Sequence, residues 1–173
     1  LYKVGLKKAK SVFFENVQNA QVMIDDKTIT KEQAVVMNGA GVNLERFSFS
    51  PMPKDDITKF LFVGRVMEEK GVNELFDAIK KIKSEGIKAE FGFLGWFEED
   101  YSQIIKDLEA KDYIKYYGYQ KDVVKFMKEA HCIVLPSYHE GMANVLLEGA
   151  SIGRALIATD IHGCKESIIN GVS

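Results

Sequence analysis

Lys59-Phe60-Leu61-Phe62-Val63 is an apolar run closed by Gly64, and Val72 to Ile82 follows it with Val72, Leu75, Phe76, Ile79 and Ile82 at helical spacing. The run reads as a strand and the segment after it as an amphipathic helix. The alternation continues. Ala89 to Leu94 reads as a strand ended by Gly95, and Asp100 to Ala110 as a helix with Ile104, Ile105 and Leu108 on one face. Tyr113 to Tyr117 is a strand ended by Gly118, and Asp122 to Ala130 a helix carrying Val123, Val124, Phe126 and Met127. His131 to Leu135 is a strand stopped by Pro136, Ala143 to Ile152 a helix, Ala155 to Ala158 a strand, and Lys165 to Ile169 a final helical turn. Strand and helix thus alternate about five times, and strands this continuously apolar predict an α/β fold whose parallel sheet is covered on both faces. Right-handed crossovers make such a sheet doubly wound, with ligands at the carboxyl ends of its strands.

The first 58 residues read differently. Ser11 to Phe14 and Ala34 to Met37 are candidate strands, with a helix from about Asn16 to Ile24 between them. Phe47-Ser48-Phe49-Ser50-Pro51-Met52-Pro53 holds two of the three prolines and reads as a linker, which places a domain boundary there. At the other end, Asn170-Gly171-Val172-Ser173 reads as a turn.

With 173 residues, 46% of them hydrophobic and 28% charged, the chain can bury a core and is not a disordered or low-complexity segment. Lysine and arginine number 23 against 25 acidic residues, so nothing in the bulk charge favours nucleic acid. No apolar run approaches the roughly 18 residues that span a bilayer. The start, Leu1-Tyr2-Lys3-Val4-Gly5, is followed by Lys7, Lys8 and Lys10 where a signal peptide would be apolar, and it lacks Met, as expected for a fragment of a longer chain. Cys132 and Cys164 form no CxxC pair, which suits a reduced, cytosolic setting.

Several motifs fail. Gly39-Ala40-Gly41 follows a strand, but Leu44 stands where a dinucleotide fingerprint needs its third glycine. Gly64 to Lys70 is followed by Gly71 where a P-loop needs Ser or Thr, and His139-Glu140 meets Ala143 where HExxH needs histidine. Zinc is unsupported, and the three histidines share no spacing.

Others survive. Gly64-Arg65-Val66-Met67-Glu68-Glu69-Lys70-Gly71 lies between a strand end and a helix start. Arg65 and Lys70 with helix N-terminal amides would cradle a phosphate or diphosphate. The alternative is a solvated loop with i,i+4 pairing. Pro136 to Glu148 runs from a strand end through a polar loop into a helix and spaces Glu140 and Glu148 as Glu-x7-Glu. Carboxylates accept paired hydrogen bonds from vicinal sugar hydroxyls, and Gly141 admits a ligand close to the backbone. Taken alone, Glu148 reads rather as a solvated helix-face carboxylate. Thr159 to Glu166 is a third strand-end turn, and Trp96-Phe97 is an aromatic pair that either stacks a base or caps the core.

The ordered set Gly64-Arg65, Glu69-Lys70-Gly71, Pro136-Ser137, Glu140-Gly141, Leu147-Glu148, Thr159-Asp160, Gly163 and Glu166 resembles the C-terminal half of a family 4, GT-B fold glycosyltransferase. Gly39-Ala40-Gly41-Val42-Asn43 with Phe47 resembles that family's interdomain segment. The wording from Glu140 to Glu148, with Gly163-Cys164-Lys165-Glu166, is most similar to bacterial capsule, O-antigen or exopolysaccharide enzymes. The resemblance implies a Rossmann-like donor domain at 46–173, with 1–45 ending an N-terminal acceptor domain that precedes residue 1. It implies that Arg65 and Lys70 stabilise the diphosphate of a UDP- or GDP-sugar, beside Gly64, that Glu148 takes the ribose and that Glu140 faces the donor sugar. Backbone amides from Gly141 through Met142 and Ala143 to Asn144 would hold sugar and phosphates, and Tyr119 would lie at the base. The family retains anomeric configuration and needs no metal or other cofactor. Its acceptor would be a saccharide or lipid-linked oligosaccharide held by the N-terminal domain, with no nucleic acid partner and a cytoplasmic setting at the inner membrane face. The rival readings are a GT-B sucrose- or trehalose-type transferase or phosphorylase, and a non-catalytic nucleotide-sugar module.

Overall fold

The computed structural model describes residues 2–37, 39–169 and 171. The chain begins with a short helix, α1 (Tyr2–Gly5), then β1 (Val12–Phe14), α2 (Val17–Asp25) and β2 (Ala34–Val36). The two strands pair in parallel, and α2 packs on them through a small core of Phe14, Ala20 and Ile29. Asn16 caps α2, its side-chain oxygen accepting from the Asn19 amide at 2.8 Å, and so satisfies one of the donors a helix start leaves open. Phe13, Val35 and Val36 of this small sheet stay exposed.

The larger unit is built from β3 (Thr58–Val63), α3 (Val72–Ser84), β4 (Ala89–Leu94), α4 (Ser102–Ala110), β5 (Lys115–Tyr116), α5 (Val124–Glu129), β6 (Cys132–Leu135), α6 (Asn144–Ile152) and β7 (Ala155–Ala158). Its strands form one parallel sheet in the order β5-β4-β3-β6-β7. Counted within the unit, that is the doubly wound order 3-2-1-4-5. Successive side chains of a strand point to opposite faces. On one face Phe62 therefore meets Phe93, with ring centroids 5.4 Å apart, and Phe93 meets Phe76 of α3 at 5.3 Å. Leu61, Leu94 and Ile133 meet Met127 of α5 and Ile152 of α6 on the other.

The elements follow the sequence pattern with informative shifts. β5 covers only two residues of the expected 113–117 because it is an edge strand with β4 as its one partner, although the Tyr117 amide still donates to Phe93. Short edge strands expose little unpaired backbone. α4 starts at Ser102 because the Asp100 carboxylate takes the Ser102 amide and hydroxyl. α5 starts at Val124, whose amide the Asp122 carboxylate accepts, and stops before the extended Ala130. The helical turn expected at 165–169 is a 3₁₀ turn, Lys165–Ser167. The turn expected at 170–173 lies outside the described residues except Gly171.

The stretch 47–53 has no regular structure, yet it is a strap and not a loose tether. Phe47 is buried against Leu61 and Ile133, and the Ser50 amide donates to the Ile152 carbonyl. The buried Arg154 guanidinium donates to the carbonyls of Ser50, Pro51, Ala130 and Ile152. Among the described residues no helix is long and apolar enough to cross a membrane. Cys132 and Cys164 are both buried and unpaired, and burial pushes each thiol up to about 11.

Candidate functional site

Strand order reverses between β3 and β6, so the chain leaves their carboxyl ends in opposite directions and a crevice opens there. Its walls are the loops 64–71 and 136–143. Gly71 closes a 3₁₀ turn (Glu68–Lys70) and starts α3 in the left-handed conformation, φ +66°. A side chain on it would collide with the Pro136 carbonyl, so the two loops touch backbone to backbone. The Tyr138 amide ties them again by donating to the Glu69 carbonyl at 2.9 Å.

Lys70 and Glu140, seventy positions apart, meet at this contact. Lys70 Nζ lies 2.6 Å from Glu140 Oε1, with the two side chains only 15% and 13% exposed. The buried Ser137 hydroxyl donates to the same oxygen at 2.7 Å. Glu140 is thus held in place from two sides, and Lys70 spends one of its three donors on it. Arg65 turns the other way, 3.7 Å from the Glu98 carboxylate, and remains exposed. Glu98 also accepts from Trp96 Nε1 at 3.2 Å, which links Arg65 to an aromatic ledge. On that ledge Trp96 meets the exposed Tyr119 edge-on at 5.7 Å, while Phe97 stacks on Tyr116 at 4.9 Å. Trp96 is therefore free to stack a planar ligand, and Phe97 is committed to the protein.

Gly141, Met142 and Ala143 lead into α6, which begins at Asn144. The Ala143 amide donates to the Gly163 carbonyl at 2.7 Å and the Asn144 amide to Met142 at 3.0 Å. Among the described residues the amides of Gly141 and Met142 have no such acceptor, so two donors remain at the helix start, where anions bind well. Gly64 sits at the β3 terminus, its amide bonded to the Leu94 carbonyl at 2.9 Å.

Glu148, on α6, is half-buried and not a solvated helix-face residue. Burial pushes its carboxyl above the ordinary range, and nearby Arg46 pulls it back in part. A folded-state value above the unfolded one means the protonated form favours the fold. The stabilising contribution is complete below the unfolded value and is lost as pH rises through the folded one. Glu148→Gln is therefore expected to melt higher than the parent at pH 7, with the difference shrinking as pH falls toward 4. An unchanged or lower melting temperature at pH 7 would show that Glu148 bears no burial cost.

Sequence reasoning missed three partners. Asn16 Nδ2 donates to the carbonyls of Gly141, at 2.7 Å, and Glu140, at 3.3 Å, joining the small unit to the loop after β6. Ser137 and Glu98 are the others: Ser137 belongs to the Pro136-Ser137 motif, but its bond to Glu140 was not foreseen, and no local pattern distinguishes Glu98 from an ordinary loop residue. The third strand-end motif is structural as well. Gly163 backs onto the Glu140 carbonyl, and its amide donates to Glu166 at 2.6 Å. Burial pushes the Glu166 carboxyl upward, but hydrogen bonds from His162, its own amide and that of Gly163 outweigh this and leave it low. Among the described residues no three His, Cys, Asp or Glu gather as metal ligands. A cavity of about 360 Å³ lies at the opposite, amino end of the sheet, around Phe60, Glu90 and Phe91, away from all these loops.

A parallel sheet in this order with a polar crevice at its switch point defines an open α/β ligand-binding domain. Residues 45–173 match the family described as Glycosyl transferases group 1, and the chain belongs to that family. It is 28% identical over 184 residues to the N,N'-diacetylbacillosaminyl-diphospho-undecaprenol alpha-1,3-N-acetylgalactosaminyltransferase of Campylobacter jejuni, covering 98% of this chain and 47% of that protein. A glycosyltransferase from Rickettsia africae superposes with a TM-score of 0.77 at 20% identity, over 98% of this chain and 50% of its own. Anabaena Alr3699/HepE, solved in complex with UDP and glucose, superposes at 0.74 with 17% identity, over 94% of this chain and 48% of its own. The chain spans about half the length of these proteins.

Proposed function

We propose that residues 46–173 form the donor domain of a retaining, metal-independent, family 4 GT-B glycosyltransferase. The enzyme moves a sugar from a UDP- or GDP-sugar to a saccharide or lipid-linked oligosaccharide of the bacterial capsule, O-antigen or exopolysaccharide type. The observation that carries this is the crevice between β3 and β6, where Lys70, fixed Glu140 and the free amides of Gly141 and Met142 converge. Arg65 and Lys70 neutralise the diphosphate as it leaves, which is the charge a metal would otherwise offset. Glu148 takes the ribose hydroxyls, Glu140 faces the sugar, and the Trp96-Tyr119 ledge receives the base. The UDP and glucose of the Anabaena structure fit this reading. So does the diphospho-undecaprenol named for the Campylobacter relative, which favours work at the cytoplasmic membrane face.

Residues 1–45 are, on this reading, the end of the acceptor domain. A two-stranded sheet does not stand alone in water, and exposed Phe13, Val35 and Val36 give it an apolar face to cover.

Calorimetry and thermal melting with UDP, GDP, ADP and dTDP, each with excess chelator, test the proposal. One nucleotide is expected to bind regardless of chelator and, at 100 times its Kd, to stabilise the chain by about 2.7 kcal/mol. Binding that disappears with chelator overturns metal independence, and no binding at all overturns the donor assignment.

A further inference from the structure

Glu15 lies between β1 and α2, on the small unit, yet its side chain reaches into the crevice of the large one. A side chain on Gly141 would collide with Glu15 Oε2, and its first carbon would lie 3.6 Å from Glu15 Cδ. Glycine at this position leaves the room that the carboxylate fills. Asn16, the next residue and only 2% exposed, holds the placement. Its Nδ2 donates to the Gly141 and Glu140 carbonyls, while its side-chain oxygen is fixed by the Asn19 amide. Glu15 itself is half-buried, and among the described residues its carboxylate has no hydrogen bond and no ion pair. Resting on the donor reading above, we propose that Glu15 is a specificity-determining residue: it accepts hydrogen bonds from hydroxyls of the transferred sugar and restricts the donor to uncharged sugars, excluding uronates.

The balance of donors and acceptors around Gly141 carries this. Lys70 and Ser137 both donate to Glu140 Oε1, so among the described residues Glu140 Oε2 has no protein donor. With the two oxygens of Glu15, three acceptors around the Glu140-Gly141 segment are unmatched. Carboxylates only accept, so whatever meets them must donate. Diphosphate oxygens cannot, and they have the Gly141 and Met142 amides and the two remaining Lys70 donors instead. Sugar hydroxyls can. A uronate would bring two more acceptor oxygens and a like charge to a place with no spare donor, and a mismatch of that kind rejects a competitor. Glu15 also comes from the opposite wall. A sugar conjugate is therefore read from both units, and a bare nucleoside diphosphate from one.

Calorimetry on the chain tests this with UDP and GDP, with UDP-glucose, UDP-galactose, their N-acetylamino counterparts and GDP-mannose, and with UDP-glucuronate, UDP-galacturonate and GDP-mannuronate. At least one uncharged conjugate is expected to bind tenfold or more tightly than any uronate of the same nucleotide. Glu15→Gln exchanges an acceptor oxygen for a donor at constant size, and Glu15→Ala removes both oxygens. Each is expected to weaken that conjugate roughly tenfold and to narrow its lead over the uronates. The bare diphosphate should bind as well as before or better, and melting without ligand should not fall. A conjugate that binds both variants as it binds the parent overturns the proposal. So does equal loss of conjugate and bare diphosphate, which would make Glu15 a structural residue, and so does a uronate that binds the parent as well as the uncharged conjugates. In these cases the diphosphate still binds and the donor reading stands. Failure of every nucleotide to bind overturns that reading and the role of Glu15 with it.

Discussion

Gly71→Ala is expected to destabilise the chain by about 3 kcal/mol or more and to abolish measurable nucleotide binding. Two penalties combine. The left-handed backbone at this position costs an L-residue about 1–2 kcal/mol, and the new methyl group would occupy the space of the Pro136 carbonyl. Since that contact is backbone against backbone, relief requires the loops 64–71 and 136–143 to part, which separates Lys70 from Glu140. For a chain of this size the melting temperature should fall by roughly 6–12 °C. Gly86→Ala is the control, since Gly86 shares the positive φ but faces open space. It should lose only the conformational part and keep its nucleotide affinity. Equal melting of the two variants would mean that the loops do not touch at Gly71.

Lys70→Ala should cost about 3 kcal/mol, because Glu140 is then left mostly buried without its cation. Nucleotide affinity should fall with it by tenfold or more, through the lost charge on the diphosphate. Lys70→Met combined with Glu140→Gln removes both charges and should recover most of the stability without recovering the affinity. That split separates a structural ion pair from a ligand contact. Arg65→Ala, by contrast, breaks an exposed pair and should change stability by less than about 1 kcal/mol. Denaturant unfolding and calorimetry on the same four proteins give both readings. A single Lys70 variant as stable as the double one would show that Glu140 keeps enough water to need no partner.

Much of the larger unit was legible because its strands are buried on both faces and end at glycine or proline. Ala89–Leu94 and Ala155–Ala158 begin and end where their apolar runs do. The edge strand at 115–116 was overread, since Tyr113 and Ile114 face the core without belonging to the ladder. α1 has too few residues to show a period. The site was legible as loops and not as pairings. Chemical type nominated Lys70, Arg65 and Glu140, but nothing local says that Lys70 turns inward to Glu140 while Arg65 turns outward to Glu98. The environment of Glu148 was equally hidden, because the Arg46 charge that acts on it comes from about a hundred positions earlier. Asn16 was read only as the approximate start of a helix, which it caps. Its second task, holding the Glu140 and Gly141 carbonyls, was not legible.

That second task orders events in time. The Asn16 bonds to Glu140 and Gly141 close sequence separations of 124 and 125 residues. Contacts so remote cannot nucleate folding, since the entropy of closing the intervening chain must be overcome before they return anything. The small β1-α2-β2 unit and each strand-helix-strand crossover of the large sheet close far shorter loops and can form earlier. During synthesis Asn16 leaves the ribosome long before its partners, and Gly163, which backs the same turn, emerges later still. The seam between the two units is accordingly a late product of folding. Nascent chains with most of the sheet already formed still lack the turn that carries the site.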